Sequence, residues 1–428
     1  MQQTALLSVD FHISPIHDLK ALFAYSHSLK HLTIVDKSFS SHCHMTQTCA
    51  TDVRVLTKQN GLQLTNCPNE IKYEFWRAYV DDREFINTGL FVCQHAFSLC
   101  ELYMPFDKPM VLIASTRYEI GRLTVDSWLR LNKNLVAIAS RKQNTIAANN
   151  MYDAEYIKHF TGLKDVPIIV NTCLYVGARY NPTRSQTLVG PSRLSKGGLE
   201  VFHEMIESLD GSQSAGNLNF AQIRSLYKHY TYEDLAAHPA IVLIPYQVSV
   251  MSIFEYYAMG VPMFAPSLEL LVEWQIKHKV LDELSWNCVE NRCDEKSAIS
   301  AHDFSPHHGY DPNDVMNATS LRHWLKFADF YQLPGIVLFD NWVDLFQKLQ
   351  NTDLQATSDI MLKHRESQLA DVRWTWTDIL KKAKIYETLG RARKVNPKNV
   401  GAHSRISWEA QIQTQYPNLD PSTFTSRC

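Results

Sequence analysis

No stretch of this sequence approaches about 18 consecutive apolar residues, so nothing in it reads as a membrane-spanning helix. It has no long basic block and a formal net charge of −2, which disfavours nucleic acid as the main partner. It has no Cys-x-x-Cys pair. Its nine cysteines are scattered and odd in number, as suits buried free thiols in a reducing compartment. His42-Cys43-His44 with Cys49 can be drawn as a metal site, but the spacing fits no standard structural zinc pattern, and no metal is expected there or at Cys288 and Cys293. No Gly-x-Gly-x-x-Gly follows any candidate strand, which argues against a dinucleotide oxidoreductase. The opening MQQTALLSVDFHIS lacks a basic start and a long apolar core. It reads as a first strand rather than a signal peptide, and a cytoplasmic location is expected.

What is present is an ordinary globular composition, 45% hydrophobic and 20% charged, over 428 residues. That length exceeds one usual core, so two domains are expected. Short apolar runs alternate with helical periodicities, the pattern of a parallel α/β sheet. In the first half the runs are 5–12, 32–35, 90–93, 110–114, 135–139 and 166–171. The run at 90–93 delivers Gln94 and His95 to its carboxyl end, and the run at 110–114 delivers Ser115, Thr116 and Arg117.

The most informative stretch is 241–267, IVLIPYQVSVMSIFEYYAMGVPMFAPS. The run Ile241–Ile244 reads as a buried strand, and a helix-compatible run follows Ser249 and Ser252. Gly260 is placed to stop that helix in a left-handed conformation, and Pro262 forbids its continuation. A second strand begins at Val261. In such a βαβ unit a ligand sits at the carboxyl ends of the strands, against the helix N-terminus. Ser252-x-x-Glu255 also fits a capping box, in which the two side chains satisfy the first helical amides. Earlier, Thr187–Val189, the loop Gly190 to Gly198 and a helix at 199–209 repeat the strand–loop–helix order with two cations, Arg193 and Lys196. That is either a second anion site or a surface turn with two solvated charges.

In this order the motifs resemble the GT-B glycosyltransferases, over roughly residues 135–270. The run Phe254-Glu255-Tyr256-Tyr257-Ala258-Met259-Gly260-Val261-Pro262 is similar to the family's donor-site helix, whose Glu holds the ribose of a nucleotide sugar; that role falls on Glu255. Retaining members carry a second Glu eight residues earlier. Here that position is Gln247, so the pair is incomplete. Gly190 to Gly197 resembles the family's Gly-Arg-Leu…Lys-Gly loop, whose cations hold the donor diphosphate, although Arg193 and Lys196 are three apart where about five is usual.

The resemblance implies two Rossmann-like, doubly wound parallel-sheet domains with a C-terminal helical extension. The first would span 1–176, a linker 177–186, the nucleotide-sugar domain 187–350, bracing helices 351–390 and a loosely packed tail 391–428. It implies a nucleotide-diphosphate sugar as donor substrate, with Arg193, Lys196, Gly197, Gln247, Ser249, Met251, Ser252 and Glu255 around it. No cofactor is implied, and the absence of any Asp-x-Asp favours chemistry without a metal. Basic side chains and helix N-termini would then stabilise the leaving diphosphate. Asp10 and His12 near the first strand, or His95, are the candidate catalytic groups. Arg117 and Arg122 either bind an anionic acceptor or anchor the face between the domains. The alternative to an enzyme is a non-catalytic GT-B relative, which the Gln247 departure motivates.

Overall fold

The protein is described here by a computed structural model covering residues 5–57, 68–122, 124–210, 216–293, 295–386 and 405–419. The first four residues of the stretch read as a strand start, residues 387–390 of the bracing segment, and most of the expected tail lie outside the described residues.

Two parallel sheets of five strands each form the chain's framework. The first comprises β1 (Leu6–Asp10), β2 (Ile34–Ser38), β3 (Leu90–Cys93), β4 (Met110–Ala114) and β5 (Thr145–Ala148), in the order β2-β1-β3-β4-β5. The second comprises β6 (Thr187–Gly190), β7 (Phe220–Gln222), β8 (Ile241–Leu243), β9 (Met263–Pro266) and β10 (Val337–Phe339), in the order β10-β9-β8-β6-β7. Read from its own first strand, each sheet has the same winding, with the direction of progression reversing beside that strand. The crevices at these reversals, β1/β3 and β6/β8, open at the carboxyl ends of the strands, where α/β proteins bind ligands. The strands are short and buried on both faces, as apolar runs such as Leu90–Cys93 and Met110–Ala114 require.

Helices flank both sheets. Among the described residues those of eight or more are α1 (Ile13–Tyr25), α2 (Pro68–Tyr79), α3 (Val125–Ser140), α4 (Met151–Thr161), α5 (Lys196–Asp210), α6 (Met251–Met259), α7 (Leu268–His278), α8 (Ala318–Leu325), α9 (Trp342–Asn351), α10 (Leu354–Lys382) and α11 (Arg405–Gln415). Among the described residues no helix is long and apolar enough to cross a membrane. The 29-residue α10 leaves the second domain and returns to the first. Val372, Trp376, Ile379 and Leu380 join the core formed by Leu6, Leu19 and Phe23, and Trp376 meets Phe23 edge-on at 5.3 Å. Its other end packs beside Gly260. That residue caps α6 at φ 77°, and a Cβ there would lie 2.7 Å from Ser358 Oγ, so glycine is needed both for the turn and for the approach.

Four expectations are corrected. The run 135–139, read as a strand, is the last part of α3. Leu131, Leu135 and Ile138 recur at helical spacing on its buried face, and the strand itself comes later, at Thr145–Ala148. The run 166–171 makes only an isolated bridge, Ala148 with Ile168, beside a proline that cannot donate to a ladder. Residues 405–415, inside the segment read as a loose tail, form α11, whose Trp408 is fully buried. Free thiols are confined, among the described residues, to Cys93, Cys100 and Cys173. Cys43 pairs with Cys49 and Cys288 with Cys293 in disulfides, because tight turns fold each pair back on itself.

Candidate functional site

A cavity of about 320 Å³ lies between the carboxyl ends of the two sheets. The first domain contributes His12, Ser14, His95, Ser115, Thr116 and Asn149. The second contributes Ser192, Tyr230, Tyr246, Gln247, Ser249, Val250, Met251, Ser252, Glu255, Glu283 and Trp286. Most of these residues follow β1, β3, β4, β5, β6 or β8, so both crevices open into one cleft; Tyr230, Glu283 and Trp286 come from elsewhere in the second domain. A larger cavity of about 850 Å³ lies elsewhere, between α3 and residues 415–419. Its lining is mostly apolar and brings no convergent set of reactive groups together, so the cleft is the candidate site.

Glu255 sits one turn into α6 on the cleft wall. Its Oε1 accepts hydrogen bonds from the hydroxyls of Tyr175 (2.8 Å) and Tyr232 (2.9 Å). Burial raises its pKa, and the two tyrosine bonds oppose that rise. The capping-box alternative is not realised. The helix begins two residues early, at Met251 instead of 253, with Val250 as its N-cap and no side-chain cap bond. Val250, Met251 and Ser252 line the cavity, so the positive end of the helix dipole faces it. Below this floor Ser249 donates to Asp329, a carboxyl whose burial pushes its pKa to about 8.

The opposite wall holds two histidines with ring centroids 5.6 Å apart. Burial, reinforced by His12, lowers the pKa of His95 to about 3, so its imidazole is neutral at any ordinary pH. His12 is open to the cleft yet crowded by protein, and its pKa is lowered by burial and then by His42. Its Nδ1 accepts from the Ser14 amide at 3.3 Å, capping α1. In the neutral ring that bond places the proton on Nε2. Asp10, two residues earlier, does not line the cavity. It is buried behind the end of β1, where Ser38 Oγ donates to it at 2.7 Å, and burial raises its pKa to about 7.

The expected basic residues lie off the cavity wall. Arg193 turns outward, its guanidinium paired with Asp282 (2.8 Å) and Glu283 and lying over the ring of Tyr246. Lys196 and Gly197 begin α5, whose N-terminus is shut. Ser195 Oγ accepts from the Gly198 amide (2.8 Å) and donates to the Val280 carbonyl (2.7 Å). A Cβ on Gly197 would lie 1.9 Å from the His278 carbonyl oxygen, so that glycine serves chain packing rather than an anion. No lysine or arginine is among the described residues that line the cavity.

Arg117 is buried and joins the domains. Its Nη2 donates to Gln247 Oε1 (2.5 Å), its Nε lies 3.5 Å from Asp153, and its carbonyl accepts from Trp286 Nε1 (2.8 Å). These contacts run from the first domain to the second, as the anchoring role requires. Arg122 is remote from the cleft. It pairs with Glu101 at 2.7 Å, beside Lys72, in the first domain's interior. Burial alone would raise the Glu101 pKa, but Lys72 and Arg122 outweigh it and hold the carboxyl at about 2.

The cleft thus gathers His12, His95, Gln247, Ser249, Met251, Ser252 and Glu255, and leaves out Asp10, Arg193, Lys196, Gly197, Arg117 and Arg122. Reading the sequence missed Tyr175, Tyr230, Tyr232, Tyr246, Glu283 and Trp286. Tyr246 stands beside Gln247 in the loop after β8, a signal the sequence did carry, and Tyr232 carries a partial one, lying shortly before β8. The others reach the site through tertiary folding alone. Among the described residues no group of three or more His, Cys, Asp or Glu side chains is arranged to hold a metal ion.

No family model matches the chain, and no curated protein matches it. Among solved structures it is similar to the glycosyltransferase VinC, determined in complex with dTDP. The identity is 10% and the TM-score 0.40, over 89% of this chain and 100% of that one. It is likewise similar to the glycotransferase of kitacinnamycin, at 14% identity and a TM-score of 0.40, with the same coverage. At these values the likeness describes overall shape alone. The two doubly wound sheets stand on the strand order itself, and the return of α10 on its core contacts.

Proposed function

We propose that the cleft binds a nucleotide-diphosphate sugar and transfers its glycosyl group to an acceptor, without a resident metal ion. The observation that carries this reading is the open N-terminus of α6 with Glu255 one turn further on, both on the wall of a cavity between two doubly wound domains. A carboxylate fixed by two tyrosines is suited to a pair of ribose hydroxyls. Uncapped helical amides are suited to a diphosphate and to the charge that builds on it as the glycosidic bond breaks. Tyr230, Tyr246 and Trp286 supply flat apolar surface for a base or a sugar ring.

The histidines take different parts. With a pKa near 3, His95 is a poor proton acceptor and a good neutral hydrogen-bonding partner for a sugar hydroxyl. His12 is the base candidate, and it serves once the Ser14 amide releases Nδ1 or a change of tautomer frees Nε2. Calorimetric titration with UDP, GDP, ADP and dTDP, with a chelator present, tests the reading. One of them should bind, and Glu255→Ala should weaken it roughly tenfold or more, as expected for lost charge-assisted hydrogen bonds. A folded protein that binds none of the four contradicts it.

A second reading is a binding protein without transferase activity. It is favoured by Gln247 in place of Glu and by the absence, among the described residues, of a lysine or arginine on the cavity wall. Sugar transfer, or hydrolysis of the donor, would eliminate it.

A further inference from the structure

Four side chains, two of them on the cleft wall, form a chain from the second domain to the first. Arg193 of the second domain pairs with Glu283 Oε1, and Glu283 Oε2 accepts from Gln247 Nε2 at 3.2 Å. Gln247 Oε1 in turn accepts from Arg117 Nη2 at 2.5 Å. Glu283 lies on the cavity wall and Arg193 just behind it, half-exposed, stacked over the wall residue Tyr246 with its centre 4.9 Å from the ring. Ser192, the neighbour of Arg193 in the chain, also lines the cavity. The amide at position 247 fits this arrangement: its nitrogen donates to Glu283, whereas a glutamate there would set two carboxylates against each other. A cleft offered to an anion therefore carries a carboxylate on its wall and, among the described residues, no lysine or arginine, while a cation lies one side chain away, occupied by that carboxylate.

We propose that Glu283 holds Arg193 in reserve, and that the donor's diphosphate takes Glu283's place as the partner of the guanidinium. This rests on the nucleotide-diphosphate reading of the cleft. Arg193 is exposed enough to turn without disturbing the core, and Tyr246 is a platform on which it can pivot. Its bonds to Asp282 and Glu283 are solvent-screened, so a diphosphate with two adjacent negative charges outcompetes them at modest cost. Glu283 then acts as a gate on charge. A ligand without phosphate gains nothing from Arg193, and a diphosphate gains a cation that the empty cleft does not display.

The test is calorimetry on the full-length protein with whichever of UDP, GDP, ADP and dTDP binds best, alongside its parent nucleoside. Glu283→Gln keeps the shape and a hydrogen-bonding group but removes the competing charge. It should tighten the diphosphate about tenfold by freeing Arg193 and removing a like charge. The nucleoside should be unaffected. Arg193→Ala should weaken the diphosphate by roughly the same factor, and in its background Glu283→Gln should give a clearly smaller gain, the part due to removing a like charge rather than to freeing Arg193. Thermal melts of each variant verify folding. Nucleotide binding to the wild type with no gain from Glu283→Gln would overturn this inference alone, as would an equal gain in the Arg193→Ala background. No binding to any variant would overturn the nucleotide reading together with it.

Discussion

Two helices of the second domain, α5 and α6, follow a buried strand and a polar loop in the same sheet, yet their N-termini differ. That of α5 is closed: Ser195 caps it and the chain at 278–280 lies across it so tightly that Gly197 has no room for a side chain. That of α6 is open: Val250 offers no cap, and Val250 to Ser252 face the cleft. The cations sit at the closed end and the free dipole at the open one. A strand–loop–helix order with basic residues therefore does not by itself mark an anion site. What decides is whether the first-turn amides already have partners, and that depends on residues about 80 positions away.

The contrast can be broken at its closed end with the largest effect. Gly197→Ala drives a Cβ into the His278 carbonyl and should cost about 3 kcal/mol, the upper range for overpacking, measured by urea denaturation. An Ala variant of wild-type stability would mean the helix is not pinned there. The opposite wall repeats the contrast in Asp10 and His12, one enclosed and one facing the cleft. Burial raises the Asp10 pKa to about 7, above its unfolded value. Its contribution to stability is therefore complete below about pH 4 and is lost as pH rises through about 7. Asp10→Asn should be more stable than wild type above that range, by on the order of 2 kcal/mol, and should show no gain near pH 4. A gain of the same size at both ends would show that Asp10 is not held protonated.

Two smaller changes sharpen the comparison. Met251 is the first residue of α6, and Val250 before it is already extended, so proline fits at 251 without breaking the helix. Met251→Pro removes one amide from the open end. It should weaken nucleoside diphosphate binding roughly fivefold while leaving the melting temperature nearly unchanged. Ser195→Ala uncaps the closed end. It should cost about 1 kcal/mol of stability and leave nucleotide affinity as it was. If Ser195→Ala weakened binding and Met251→Pro did not, the two ends would have to be exchanged in the account.

Much of the framework was legible in the sequence because its signals are local. The strands at 90–93 and 110–114 stand where their apolar runs lie, and Gly260 with Pro262 marks the end of α6. The segment at 135–139 misled because a five-residue apolar run looks alike in a strand and on a helix face; only the wider spacing Leu131, Leu135, Ile138 separates them. Within the site, residues that follow strand ends reached the cleft, from His12 and His95 to Gln247 and Glu255. The capping box failed because the helix starts one residue before Ser252. The basic loop lies off the cavity wall because Asp282, Glu283 and the turn after α7 claim it from a distance, and no sequence window contains both partners. Tyr175 and Tyr232 fix Glu255 in the same long-range way.

The most direct measurement is a crystal structure of the protein with the tightest-binding nucleoside diphosphate. The account predicts phosphate oxygens about 3 Å from the Met251 and Ser252 amides, ribose hydroxyls on Glu255, and the base or sugar against Tyr230, Tyr246 or Trp286. A diphosphate seated at Lys196 and Gly197, or a nucleotide bound outside the cleft, would contradict it.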